Sequence, residues 1–215
     1  VDAPRKAVGG ARDAAHGARG EHLRTAVAGG AHAERQVLRH LGLRKRSHAE
    51  GVGDAVAKLA AANGSGKLLA GGHSLVPLMK LRLSEPGRLI DIARIPGLSG
   101  IRENGGRIEI GATTVHHEIA TSKLLRDQCP MVADAAAEIG DAQVRNRGTI
   151  GGSIAHADPA ADMPAVMVAV GAEIEIRGKN GTRTVAAADF FQGFYTVDLQ
   201  PSEIITAVRF PAVRA

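Results

Sequence analysis

Two short segments carry residue types suited to an anionic cofactor: Ala70-Gly71-Gly72-His73-Ser74 and Thr149-Ile150-Gly151-Gly152-Ser153. Each follows a run that reads as an apolar strand, and each sets two residues without a Cβ where the chain must turn. Successive backbone N–H groups in such a turn form a concave nest for an anion. Glycine lets a phosphate approach the backbone closely. The hydroxyls of Ser74, Thr149 and Ser153 add donors, and Arg145 and Arg147 stand just ahead of the second segment. Hydrogen bonds to a charged group contribute about 1.5–3 kcal/mol each. Two such corners facing one another would hold a diphosphate. A tight turn without a ligand is the other reading of either Gly pair alone. The repetition of strand, Gly-Gly and hydroxyl points to a nucleotide.

Other chemistries fit less well. No G-x-G-x-x-G is present, so the Rossmann fingerprint is absent. "GSGKLL" lacks both the upstream Gly at Walker spacing and the following Ser or Thr. "AHADPAAD" places Asp158 and Asp162 just past the second Gly pair. Asp158, directly before Pro159, reads as a helix cap, and Asp162 as the acceptor for sugar hydroxyls. "HHEIAT" lacks the second His of a zincin, so His116 and His117 read as helix-surface residues. His156 with Asp158 and Asp162 has no third nitrogen or sulfur ligand placed beside it, and no metal site is expected. "GGSIA" ends in Ala155 where a nucleophile elbow has Gly, which leaves a serine hydrolase a minor rival.

Ahead of the first Gly pair, Val52, Ala55, Val56 and Leu59 recur at helical spacing and stop at Asn63-Gly64. "KLLA" then reads as a buried strand, "GGHS" as a loop, "LVPLMKLRL" as a helix with Pro77 near its start, and "RLIDI" as a strand. Helix, strand, loop, helix, strand is a compact α/β unit with parallel strands. "GIRENGGRIEIGA" predicts a hairpin turning at Asn104-Gly105-Gly106, and "AEIEIRGKNGTRTVAA" another turning at Asn180-Gly181. "TVHHEIATSKLL" and "PMVADAAAEIG" predict helices separated at Pro130. "DFFQGFYTVDLQPSE" predicts a short helix and loop, and "IITAVRF" a last strand.

The 215 residues suggest one to two domains. The first fifty residues hold ten Lys and Arg against five Asp and Glu, and the rest of the chain holds seventeen of each. The net charge of +5 therefore belongs to that opening stretch. Val37, Leu38 and Leu41 there could face one side of a short helix; the rest of 1–50 reads as an atypical basic, poorly ordered leader. A basic arm for nucleic acid or a membrane surface is the competing reading, but neither interleaved aromatics nor a recognisable module accompanies the charge. The five aromatics are Phe190, Phe191, Phe194, Tyr195 and Phe210, so residues 51–189 must build their core from aliphatic side chains and Met. The single Cys, Cys129, excludes a disulfide framework and any iron–sulfur cluster held by this chain alone. No run approaches eighteen apolar residues, and the opening residues lack an uninterrupted signal-type apolar stretch.

"KLLAGGHSLVPLMKLRL", "RNRGTIGGSIAHADPAADMPA" and "FFQGFYTVDLQPSEIITAVRFP" resemble the FAD-binding medium subunit of molybdenum hydroxylases. Within that family the aerobic carbon monoxide dehydrogenase medium chains are nearest, and the xanthine dehydrogenase flavin domain is more distant. The resemblance runs from about Gly51 to Ala215 and implies an α+β / α/β fold: a two-lobed FAD-binding domain of the vanillyl-alcohol-oxidase-like (PCMH) type. It puts the first lobe at 51–103 and the second at 104–215, with a further C-terminal domain absent from this chain. It implies FAD contacts from Leu69, Ala70, Gly71, Gly72, His73, Ser74, Leu75 and Val76 and from Thr149, Ile150, Gly151, Gly152 and Ser153. Asp162 matches a flavin-contacting acid, Ile205 a residue touching the isoalloxazine, and Ile139 a position where relatives can set a side chain against the flavin. It also implies a role without catalysis on the organic or CO substrate. The flavin would take electrons from 2Fe-2S clusters on a small subunit, fed by a molybdenum cofactor on a large subunit, and pass them to an external acceptor. The setting implied is a cytoplasmic complex with no nucleic-acid partner. A non-redox FAD-fold remnant, or a basic-arm binding module, is the alternative.

Overall fold

The computed structural model describes residues 46–212. The expectations for the basic opening stretch up to residue 45 lie outside the described residues. Ten strands and nine helices follow in the described part: β1 (Arg46–His48), α1 (Val52–Ala61), β2 (Gly66–Leu69), α2 (Leu75–Lys80), β3 (Arg88–Asp91), β4 (Ile101–Asn104), β5 (Arg107–Gly111), α3 (His116–Thr121), α4 (Lys123–Gln128), α5 (Pro130–Glu138), α6 (Ala142–Arg145), α7 (Ile150–His156), α8 (Asp162–Ala169), β6 (Glu173–Gly178), β7 (Gly181–Ala186), α9 (Ala187–Phe190), β8 (Phe191–Gly193), β9 (Thr196–Val197) and β10 (Ile204–Pro211).

Three parallel strands in the order β1-β3-β2 form the smaller sheet. In β3, Leu89, Ile90 and Asp91 are all buried, as a central parallel strand covered on both faces requires. Asp91 is held by Arg46 at 2.5 Å, by His48 at 3.2 Å and by the Ala93 amide at 3.0 Å. That anchor recruits residues 46–48, which precede Gly51, into the smaller sheet. α1 turns Ala55, Val56 and Leu59 inward and ends where Asn63 and Gly64 adopt positive φ, the stop anticipated from their side chains.

The larger sheet is antiparallel, in the order β4-β5-β10-β6-β7. β4 belongs to it, pairing with β5 from Ile101 to Asn104. The larger sheet therefore begins at Ile101, ahead of residue 104. Gly105 and Gly106 both have positive φ, the backbone of a two-residue hairpin turn matched to strand twist. In β6, Ile174 and Ile176 face a core shared with Ile108, Ile110, Val208 and Phe210, while Glu173 and Glu175 face the other side. On that outer face Arg209 joins Glu109 and Glu175, both at 2.7 Å.

The single helix predicted over 114–125 is two helices. Ser122 ends α3 and caps α4, its Oγ accepting from the Leu125 amide. α1 contacts β10 and β6, and Ile204 of β10 packs in the core of the smaller sheet. Among the described residues no helix is long and apolar enough to cross a membrane.

Candidate functional site

Loop 70–74 leaves β2 and enters α2. Gly72 has φ +77°, a left-handed conformation natural to glycine. The carbonyls of Gly72 and Ser74 accept from Val76 and Leu78, closing the first turn of α2. The amides of Gly71, Gly72, His73, Ser74 and Leu75 donate to no acceptor among the described residues. Five successive donors are thus left unmatched on one turn, an arrangement suited to an anion.

Gly71 is bare for a different reason from the one the residue pattern suggested. A Cβ on it would lie 2.0 Å from the Arg147 carbonyl oxygen and 3.0 Å from Gly148 Cα. The glycine lets loop 70–74 rest directly on the backbone leading into the second motif. The two motifs do fold together, through this contact.

The second motif is not a strand followed by a nest. Thr149 makes a one-residue bridge to Val115 and then caps α7, its Oγ1 accepting from the Gly152 amide at 3.2 Å. Every early amide of α7 is matched within the protein: Ile150 to Thr114, Gly151 to Ala112 at 2.9 Å, and Ser153 to Thr149. A Cβ on Gly151 would sit 2.7 Å from the Ala112 oxygen and equally close to its Cβ. Gly151 thus seats α7 against the end of β5. This segment contributes a smooth wall and the Ser153 hydroxyl, while loop 70–74 contributes the free amides.

Between them lies a cleft of about 710 Å³, within the range of about 300–1,000 Å³ usual for small-molecule sites. Leu69, Ala70, Gly71, Gly72, His73, Ser74 and Leu75 line it, as do Thr149, Gly151, Gly152 and Ser153. Ile139 and Ile205 are also on its wall. Val76 and Ile150 are not: both side chains turn into the protein, because each sits on the inward face of its helix. Asp162 opens α8 with its side chain exposed and is not on the wall, whereas Asp158 is. Asp158 does not cap α8, whose N-cap is Ala161; its Oδ1 instead accepts from the Ala160 amide, an Asx turn one step before the helix. Arg145 donates to the carbonyls of Ile139 and Gly140, both at 3.0 Å, so it shapes the wall rather than supplementing a nest.

Three features of the wall went unread in the sequence. His116 is 4% exposed, not on a helix surface, because its amide bonds the Gly148 carbonyl and draws the start of α3 under the seam between the motifs. Burial, with the nearby His73 charge, lowers its pKa to about 4. Ala112, the small residue after β5, receives α7. The segment from Leu199 to Ile204 forms the opposite lip, held by Arg183, which donates to Asp198 at 2.7 Å and Glu203 at 2.8 Å. Tyr195 stacks on His156 of the wall at 5.2 Å, tilted by 52°.

The site has unpaired amides on one side, glycine-smoothed helix on the other and apolar side chains at Ile139, Leu199 and Ile205. Those features fit a long cofactor with an anionic middle and a flat apolar end. The fold and wall together define a mixed α/β cofactor-binding domain. Residues 46–213 match the family described as the FAD binding domain in molybdopterin dehydrogenase, and the chain belongs to that family. It is 51% identical over 161 residues to the carbon monoxide dehydrogenase medium chain of Hydrogenophaga pseudoflava, covering 75% of this chain and 56% of that relative. It is 41% identical over 163 residues to the 6-hydroxypseudooxynicotine dehydrogenase complex subunit alpha of Paenarthrobacter nicotinovorans, covering 76% and 55%. Among solved structures it resembles carbon monoxide dehydrogenase from Hydrogenophaga pseudoflava lacking the Mo-pyranopterin moiety, with TM-score 0.79 and 48% identity over 80% of this chain and 60% of that one. The chain thus spans a little over half the length of the curated relatives it matches.

Proposed function

We propose that this chain holds FAD and acts as the electron-transfer subunit of a molybdenum hydroxylase complex of the carbon monoxide dehydrogenase kind. Partner subunits, one small with 2Fe-2S clusters and one large with the molybdenum cofactor, complete it. When bound, the flavin supplies the redox chemistry that links one-electron carriers to an external acceptor. The observation that carries the reading is the run of five unmatched amides, Gly71 to Leu75, facing a wall that Gly151 and Gly152 keep smooth.

In this assignment the amides of loop 70–74 hold the diphosphate. Ser153 adds a hydroxyl, and Asp158, whose side chain lines the cleft as that of Asp162 does not, accepts from sugar hydroxyls. Ile139, Leu199 and Ile205 exclude water from the ring system. The two sheets with the cleft between them support the two-lobed vanillyl-alcohol-oxidase-like arrangement. The buried lone thiol of Cys129, its pKa raised by burial, leaves cluster ligation to a partner and suits a reducing cytoplasmic setting. The two named relatives act on unlike substrates, which favours substrate choice in another subunit.

The test is the visible spectrum of the purified chain after incubation with FAD and desalting. A yellow flavin band that bleaches with dithionite is expected. FAD at a hundredfold its dissociation constant should add about 2.7 kcal/mol of stability. A colourless protein whose melting point ignores FAD would favour the non-redox remnant.

A further inference from the structure

Of the residues lining the cleft, His116 is the one with a buried side-chain polar atom that has no hydrogen-bond partner among the described residues. Its backbone amide is satisfied by Gly148. Its side chain lies on the cleft wall, 96% buried by complement of its 4% exposure. Nδ1 is sealed from water and has no hydrogen-bond partner among the described residues. Nε2 is not sealed in that way, and the Cδ2–Nε2 edge of the ring lies along Gly148: a Cβ there would be 3.0 Å from Cδ2 and 3.5 Å from Nε2. Gly148 is also the residue against which Gly71 packs. The imidazole edge therefore borders the seam where the amide-bearing loop meets the second motif.

We infer that His116 is a ligand of the bound cofactor's diphosphate, donating one hydrogen bond from Nε2–H of a neutral imidazole. This rests on the reading that the cleft holds FAD. The tautomer follows from the surroundings. A neutral imidazole carries one N–H, and an N–H buried without an acceptor is costly. Nδ1 has no acceptor, so the proton belongs on Nε2, the nitrogen at the cleft. Burial and His73 keep the ring uncharged near neutral pH, so it donates without requiring a counter-charge within the protein. His73 differs in kind: it is exposed, and its Nδ1 lies 3.2 Å from the carbonyl of its own loop at Gly71.

The carboxamides separate a ligand role from a packing role. In His116→Gln the side-chain amide reaches the Nε2 position; in His116→Asn it reaches only the Nδ1 position. Dissociation constants for FAD and for ADP are measured by calorimetry on the full chain, with the melting point of the cofactor-free protein read in parallel. Relative to wild type, His116→Asn should bind both ligands about tenfold or more weakly, and His116→Gln within about threefold. His116→Leu, which removes the partnerless nitrogen, should match Asn in binding while its cofactor-free melting point stays level or rises. Equal affinities for Asn and Gln overturn the inference, as does loss of FAD affinity with ADP binding unchanged. If every variant instead loses affinity in proportion to a fallen melting point, His116 is packing alone. A wild-type chain that takes up neither FAD nor ADP overturns both this inference and the flavin reading. Wild-type uptake with indifferent variants overturns only the role of His116.

Discussion

Gly71→Ala tests the contact that assembles the cleft. The added Cβ would stand 2.0 Å from the Arg147 oxygen and 2.8 Å from its carbonyl carbon, where about 3.5 Å or more is optimal between heavy atoms. Both obstacles are backbone, so no rotamer change relieves them and the two segments must part. Overpacking usually costs about 1–3 kcal/mol; an immovable neighbour puts this substitution near about 3. For a domain of this size that is a fall in melting point of about 6–12 °C. Urea titration of the cofactor-free protein should show a lower midpoint with an unchanged slope. FAD should bind at least tenfold more weakly, since loop 70–74 and α7 no longer face each other at the same separation. Gly53→Ala is the control: its Cβ would meet nothing within 4 Å in α1, and it should gain about 0.5–1 kcal/mol from helix propensity. If Gly71→Ala unfolds within about 0.5 kcal/mol of wild type and keeps wild-type FAD affinity, the motifs are not in contact and the cleft is wrongly assembled.

Arg183→Met should loosen the 198–203 lip. Its guanidinium is about one-third exposed, so solvent limits the loss to about 1–2 kcal/mol; faster proteolysis between Asp198 and Glu203 reads it, and an unchanged cleavage rate would remove Arg183 from the design of the site. His116 should impose a pH slope on stability. Its folded pKa of about 4 lies below the usual 6.5, so the unfolded chain binds the proton more readily, and stability is lost as pH falls from about 6.5 to about 4, by at most about 3 kcal/mol. His116→Leu should flatten that slope in urea titrations. Hydrogen exchange should separate the two motifs: amides of Gly71 to Leu75 exchange fast without FAD and slow on its addition, whereas Ile150, Gly151 and Ser153 are slow in both states. Equal FAD-induced protection of both motifs would contradict the division of labour between them.

Local signals survived into the structure where a single residue dictates the backbone. Asn63-Gly64 ends α1, Gly105-Gly106 turns the first hairpin, and Gly72 bends the first loop, each through positive φ. The alternation of Ile174 and Ile176 with Glu173 and Glu175 placed β6 correctly on its core. What misled was the same dipeptide in a second context. Gly151-Gly152 looks like Gly71-Gly72, but Thr149 ahead of it is a good N-cap and the helix it starts lies on Ala112. Whether a Gly pair bends a loop or admits a neighbouring backbone depends on that neighbour, which is 39 positions away in sequence for Gly151. His116 went unread for a related reason: helical spacing gives a face, but its burial comes from a bond to Gly148. Arg183 carried no local signal, because its carboxylate partners lie 15 and 20 residues on. Arg46 to His48 were legible as charge and not as a strand, since their pairing depends on Asp91.

The cores of the two sheets meet through a strand rather than through the cleft's contents. β10 sends Ile204 into the core with Val56 and Leu59, and Ile205 into the core with Ile108 and Val208. Its register shifts between Ile205 and Ala207, a bulge that re-aims the side chains where the strand begins. Thr206, the extra residue, donates from Oγ1 to Glu175 at 2.6 Å and accepts at its carbonyl from the Ala112 amide at 3.0 Å. Ala112 in turn accepts from Gly151, so one chain of hydrogen bonds runs from β6 through the bulge to the floor of α7. Glu175 is part of it: burial alone would raise its pKa, but the bonds from Thr206 and Arg209 hold it below the usual carboxylate value. The wall of α7 is thus fixed by the antiparallel sheet, and loop 70–74 is fixed to that wall by Gly71. Both sets of contacts lie within the protein. The donors left over, from Gly71 to Leu75, are therefore oriented by the chain's own packing, and binding to them carries little of the ordering cost that a flexible loop would impose.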